Sequence, residues 1–295
     1  MITNYSKVAF PPPLDMVDGA AAAIGLRKLS TNWYGKCCRI RRSSDNAEQD
    51  IDFRGLDFDV TAFSAFIGTG SGYITTIYDQ SGNGHDATQA MAANQPVITL
   101  NVQNGRPVIK FTAISQTFLT FGTILGKPAN YTNVSAFSIS NTNNVMYVLG
   151  SGNSTSNGVT TWGGLYMNRV LGSPNRLPLG CTSYFHSDGT NGMFDTMNAI
   201  FTPNLMGIVC DSYESGLRTG EIRKNGVIAS ALDTNGPATS NTGLAYEFSI
   251  GRNGEYAAGS YFDGYYADFI HYSSKLTDSN QAKIERSYND YYAIF

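Results

Sequence analysis

Residues 75–89, Thr-Thr-Ile-Tyr-Asp-Gln-Ser-Gly-Asn-Gly-His-Asp-Ala-Thr-Gln, gather acids, a phenol and an imidazole within a few positions. Tyr78, Asp79, His85 and Asp86 are the residue types of general acid–base chemistry. Asp79, Asn83 and Asp86 are also oxygen donors of the kind that hold Ca²⁺, although their spacing is not that of an EF-hand loop and a further carboxylate is wanted. A turn accounts for the same residues. Asp79 ends an alternating hydrophobic run, where its carboxylate can accept from N–H groups of the following turn. Gly82 and Gly84 supply positive φ, and Tyr78 points into a core. The stretch is read as a structural corner made by Tyr78, Asp79, Gly82 and Gly84. His85 is read as a surface or satisfied histidine. His186 and His271 have no nearby Ser or Cys pattern that would make a triad.

The elements that must hold this corner are mostly strands. Hydrophobic residues are 42% of the 295-residue chain, enough for a sizeable core, and charged residues only 15%. Abundant Gly, Tyr, Phe, Ser, Thr and Asn suit short strands joined by polar turns. Asn-Gly pairs at 104–105, 191–192, 225–226, 235–236 and 253–254 mark hairpins, because type I′ turns need positive φ. The alternating stretches around 37–42, 48–53, 72–79 and 95 onward read as strands. Residues 59–68 read as a short helix closed by Gly68. Asp18 is placed as the cap of another helix through Ala20 to Leu29. Thr277 or Asp278 caps a C-terminal helix near 278–291, with Ala282, Ile284, Tyr288 and Tyr291 on one stripe. Pro11, Pro12 and Pro13 make residues 1–14 an extended arm, expected to pack on another subunit or to stay disordered when the chain is alone. Residues 15–295 read as one domain.

The net charge of −3 gives no reason to expect a nucleic-acid partner. Arg39, Arg41 and Arg42 read as the solvated face of a strand. Ala20–Leu26 is too short and broken for a signal peptide or a membrane span. Cys37, Cys38, Cys181 and Cys210 match no metal spacing and read as buried free thiols; on a strand, adjacent Cys37 and Cys38 would face opposite ways. No cofactor or metal is implied.

The last third resembles the concanavalin A-like, or laminin-G-like, jelly rolls. An Asn-Gly hairpin precedes a strand ending Ile250-Gly251, and Phe262, Gly264 and Tyr272 return the chain to the sheet. The resemblance implies an all-β sandwich of two antiparallel sheets with a few short helices. Residues 26–90 resemble more narrowly the catalytic domain of the α-L-arabinofuranosidase B family. Arg42, Ser44 and Asp45 match its Arg-x-Ser-Asp segment with one serine between, and Ile77 to Gly84 match its Ile-Tyr-Asp-Gln-Ser-Gly-x-Gly segment.

That family implies retaining glycoside hydrolysis by two carboxylates. Its nucleophile lies in an Asp-Leu-Glu-Asn-Gly segment, whereas this chain has no Asp-x-Glu and no acid between Asp86 and Asp188. Its acid/base aspartate falls where this chain reads Ile250-Gly251-Arg252-Asn253-Gly254, with Glu255 as a nearby substitute. Its adjacent cysteine pair corresponds to Met146–Gly150 and not to Cys37-Cys38. From these departures the expectation is a non-catalytic, lectin-like structural protein of a bacteriophage virion: a head decoration, fibre or tail component made in the host cytoplasm without a signal peptide. Its partners would be other virion proteins, in a homo-oligomer, and cell-surface glycans, with no membrane. Trp162, Tyr166, Arg252 and Asn253 are the candidate carbohydrate contacts. The alternatives are an arabinofuranosidase-like hydrolase and a free carbohydrate-binding module.

Overall fold

Gly264–Tyr272 reads GYYADFIHY, with bulky apolar residues at both parities, the signature of a strand covered on both faces. The computed structural model describes residues 11–122, 130–140, 146–151, 163–167, 180–187, 194–200, 202, 204–214, 217, 219–233, 247–252 and 261–295. Within 163–167, 180–187 and 194–200 it describes the backbone alone. Asn130–Ile139 pairs along one edge of the Gly264–Tyr272 strand. Ala22–Gly25 and Arg106–Phe111 share the other edge.

From this strand the first layer continues through Asn130–Ile139, Gly207–Glu214, Thr219–Lys224 and Val227–Asp233 on one side, and through Arg106–Phe111 to Val97–Gln103 on the other. The second layer runs Glu48–Ile51, Cys38–Arg42, Gly72–Ile77, Ala87–Thr88, Leu119–Thr120, Phe248–Ile250 and Met146–Ser151. It ends with Gly163–Met167, Gly180–Ser187 and Phe194–Ile200. Among the described residues every ladder is antiparallel; the layers' strands share the Tyr73–Val97 pair, and an isolated parallel bridge joins Tyr147 to Tyr261 ahead of the central strand. Between them lies a core rich in aromatic rings. Phe269 of the first layer meets Phe121 and Phe248 of the second at 5.6 Å. The architecture is the expected jelly-roll sandwich.

The outer face of the first layer is covered by the C-terminal helix, Asp278–Tyr292, capped by the Thr277 side chain. Ile284, Tyr288 and Tyr292 lie in a second core with Val134, Ile208, Cys210 and Ile270. The buried stripe is Gln281, Ile284, Glu285, Tyr288 and Tyr292; Ala282 of the expected stripe is exposed and Tyr291 half-buried. Residues at i, i+3 and i+4 share a helix face, and burial starts at Gln281 because its side chain reaches Cys210 and Ser212 on the sheet.

A bulge opposite Ala136 lets Asp268 leave the inner face of its strand. Its carboxylate accepts from Arg27 Nε at 2.6 Å and from the Tyr292 hydroxyl at 2.8 Å. The guanidinium lies over the rings of Tyr288, Tyr291 and Tyr292. Burial opposes the charge on Arg27, but Asp268 outweighs it together with the tyrosines, and the pKa of Arg27 is raised. Gly25 is required here, since a Cβ at that position would fall on Asp268 Oδ1.

Three expectations are corrected. Residues 20–29 are not a helix, because Ala22–Gly25 is fully buried and takes its hydrogen bonds from residues 268–271. Long-range pairing overrides the helix propensity of the alanines. The extended arm does not include its last residues. Pro13 opens a helical turn over Pro13–Met16, Leu14 N–H donates to Leu29 O, and Ser287 Oγ donates to Pro11 O, so 11–14 lie on their own domain; residues 1–10 fall outside the described residues. Cys37 and Cys38 do not face opposite ways, since both are in the interlayer core. Cys37 precedes the strand and turns its Sγ toward Gly25 O. Cys210 is buried beneath the helix, and the side chain of Cys181 lies outside the described residues.

His271 sits in the interlayer core beside Phe248 and Phe269, with Nδ1 2.8 Å from Asn133 Oδ1. Burial, with a contribution from His85, lowers its pKa to about 4. The unfolded chain therefore takes up a proton near pH 6.5 that the folded chain refuses until about pH 4. Stability falls as pH drops through that window, by roughly 3 kcal/mol, and urea titrations at stepped pH should show His271→Gln lacking that part of the slope. Asp268→Asn leaves the Arg27 charge buried without its counter-ion and should cost about 3–5 kcal/mol by urea unfolding. The double variant Arg27→Met, Asp268→Leu should recover most of the loss.

Candidate functional site

The corner at 78–86 is satisfied from within the fold. Asp79 is buried, and its carboxylate accepts from the N–H groups of Ala23, Ser81 and His85 at 2.8–3.0 Å and from Ser81 Oγ at 2.6 Å. Asp79 N–H donates to Asp86 Oδ1 at 2.8 Å. Gly82 and Gly84 have φ of 87° and 75°. Tyr78 departs from its expected core position: its hydroxyl donates to Asp50 Oδ1 at the strand surface. Asn83 Nδ2 donates to Ala20 O and Ala21 O, and His85 Nδ1 lies 2.8 Å from Ala21 O. Gln80 reaches Leu29 N–H and Arg27 O. The acids and amides of the motif thus hold the turn to residues 20–29. Arg42 similarly grips Asp45 through two nitrogens at 2.7–2.8 Å, closing the Arg-x-Ser-Asp hairpin.

A different cluster presents chemistry outward. In the second layer Leu119, Phe121, Phe248 and Ile250 point into the interlayer core. Strand alternation turns Thr120 and Ser249 to the opposite face. There Glu247 accepts from Ser249 Oγ at 2.9 Å and forms an ion pair with Arg252. The Arg252 guanidinium lies 3.6 Å above the ring of Phe118, which meets Tyr261 at 6.5 Å. Gln89 Nε2 donates to Phe118 O, Gln95 Nε2 to Gln89 O, and Arg41 Nε to Gln95 Oε1. Hydrogen bonds therefore run from Arg41 as far as the Phe118 carbonyl, and the Phe118 ring beneath Arg252 carries the contact on to the ion pair. Burial raises the pKa of Glu247, but Arg252 and the hydroxyls of Thr120 and Ser249 more than offset this, leaving it below the ordinary glutamate value. The side chain is thus an ionised carboxylate with fixed orientation, suited to stabilising positive charge or attacking carbon, and unsuited to donating a proton.

Of the expected carbohydrate contacts, the described residues place Arg252 here. Tyr166 lies on the Gly163–Met167 strand, with its side chain outside the described residues; Trp162, Asn253 and Glu255 lie outside them altogether. Glu247, Phe118 and Tyr261 were missed by sequence reasoning. The available signal for Glu247 was its position one residue before the strand whose Ile-Gly ending leads to Arg252.

The model of the α-L-arabinofuranosidase B catalytic domain matches residues 17–164. Among solved structures, a GH54 α-L-arabinofuranosidase soaked with a cyclic sulfate inhibitor superposes with a TM-score of 0.70 at 16% identity, over 94% of this chain and 64% of that one. An arabinofuranosidase complexed with arabinofuranosyl-α-1,2-xylobiose gives a TM-score of 0.69 at 16% identity, with the same coverage of 94% and 64%. The chain thus spans somewhat under two thirds of the length of these structures. No curated protein matches it. The expectation of a non-enzyme is corrected by these matches, which join the chain to a glycosidase family.

The corner yields a direct test. Asp79→Ala removes the acceptor of three buried or half-buried N–H groups, and unsatisfied donors cost about 1–3 kcal/mol each. Chemical denaturation should show a loss of at least about 3 kcal/mol, while Asp86→Ala, which removes one acceptor, should lose less.

Proposed function

The chain belongs to the α-L-arabinofuranosidase B catalytic family, and from that premise we propose that it hydrolyses α-L-arabinofuranosides on the outer face of the second layer. The observation that carries the proposal is the Glu247 carboxylate, held ionised beside Arg252 on that face. In retaining hydrolysis one carboxylate attacks the anomeric carbon as a second carboxyl protonates the departing oxygen, and water then releases the sugar with that second group acting as base. Glu247 is assigned the nucleophile, because its environment favours the charged form. Arg252 is a positioning residue: it orients Glu247 and cannot itself serve as the acid. Glu255 is assigned the acid/base. Tyr261, half-buried beside Phe118, supplies aromatic surface of the kind sugar faces use.

Residence in a bacteriophage particle, among other virion proteins and as a homo-oligomer, is a separate proposal supported by the Asn-, Ser- and Thr-rich β scaffold. Mass spectrometry of purified particles tests it; absence of the chain from them refutes it.

The hydrolytic reading is tested with 4-nitrophenyl α-L-arabinofuranoside. The chain should release nitrophenol, and Glu247→Gln should reduce the rate by about 10³-fold or more. Glu255→Gln should spare the first step, since nitrophenolate departs without protonation, and azide should restore turnover. No release above buffer, or release untouched by both substitutions, would refute the assignment.

A further inference from the structure

On the far side of the molecule, between the C-terminal helix and the first turns of the chain, lies a cavity of about 230 Å³. Its floor is Arg27, whose guanidinium is fixed by Asp268 below and by the tyrosine rings of the helix. One wall is the Arg106–Asp57 ion pair at 2.7 Å, with Tyr291 donating its hydroxyl to the same Asp57 oxygen at 2.8 Å. Ser287 and Asp290 line the helix side, and Pro12 and Leu56 give apolar surface at the mouth.

The charges of this lining select a class of ligand. Each guanidinium already faces a carboxylate, and Lys28 and Asp290 add one charge of each sign to the lining. A phosphate entering would meet two carboxylates, and a divalent cation two guanidiniums. Neither gains what the desolvation of its charge costs. The cavity instead offers donors and acceptors together, the Arg106–Asp57 pair with Lys28 as donor and Asp290 as acceptor, against an apolar lip. Vicinal hydroxyls on a compact ring are donors and acceptors in the same alternation. The volume is below that of drug-sized sites and admits a single sugar ring.

We propose that this cavity is a second binding site for one neutral sugar unit of a glycan, separate from the face that carries Glu247. The walls stand without a ligand because the ion pairs and the Tyr291–Asp57 hydrogen bond hold them, so little ordering is required on binding. The inference does not depend on hydrolysis at Glu247, and the two can fail independently.

Saturation-transfer NMR on the full chain, with methyl pentosides and methyl hexosides as probes, tests it in the background of Glu247→Gln and Arg252→Met, which disables the other face. A methyl glycoside should bind with a Kd of about 1 mM. Leu56→Trp, which fills the mouth, should abolish the signal, and Asp290→Ala should weaken binding about tenfold. Both residues are at the surface of the fold, and unchanged melting curves confirm that each variant is folded. The proposal is overturned if no methyl glycoside saturates, if both variants bind like the parent, or if inorganic phosphate binds where the glycosides do not.

Discussion

A charged group buried between a sheet and a helix sets the terms for the first layer. Asp268 cannot remain in that position as an isolated carboxylate, since a lone buried charge costs several kcal/mol. Arg27 and Tyr292 meet it from opposite ends of the sequence. The requirement fixes three things together: the bulge that turns Asp268 outward, the glycine at 25 that leaves room for it, and the seating of the C-terminal helix. The same arginine lies within the segment that the Asp79 corner grips through Ala23 and, by way of Gln80, Leu29. The most distinctive motif of the chain is therefore one step removed from its most buried charge.

The division of labour between the two layers follows. The first is covered on both faces, by the aromatic interlayer core and by the helix. On the second, the face turned away from that core carries polar side chains, with the Glu247–Arg252 pair packed on the Phe118 ring. Function is carried by such a site rather than by the fold, and the low identity to the superposed arabinofuranosidases is concordant with a shared frame bearing different side chains.

Much of the frame was legible in the sequence because its signals are local. Asn104-Gly105 and Asn225-Gly226 both have positive φ and close hairpins as type I′ chemistry demands; the other three Asn-Gly pairs lie outside the described residues. Asp59 and Thr277 cap their helices through side-chain oxygens, and Gly68 ends the first of them at φ 60°. What the sequence hid was non-local. Ala20–Leu29 carries a helix-forming composition, and only the partner strand more than two hundred residues away makes part of it β. The site was hidden for a similar reason. Glu247 lies in no motif, and its environment is made by Thr120 and Arg252, which reach it from a different strand and from the following turn.

The pairing of Ala22–Gly25 with Gly25's partner Asp268 through Ala22's partner His271 also sets a timetable for the nascent chain. Synthesis runs from the N-terminus at about 5–20 residues per second. Residues 22–25 leave the ribosome more than two hundred residues before the strand that receives them. Over that interval the segment, and the Asp79 corner bonded to its Ala23 amide, must wait without the partner strand. The first layer therefore cannot close until residues 264–272 have been made. A cell making this chain must keep that segment from pairing elsewhere during the interval.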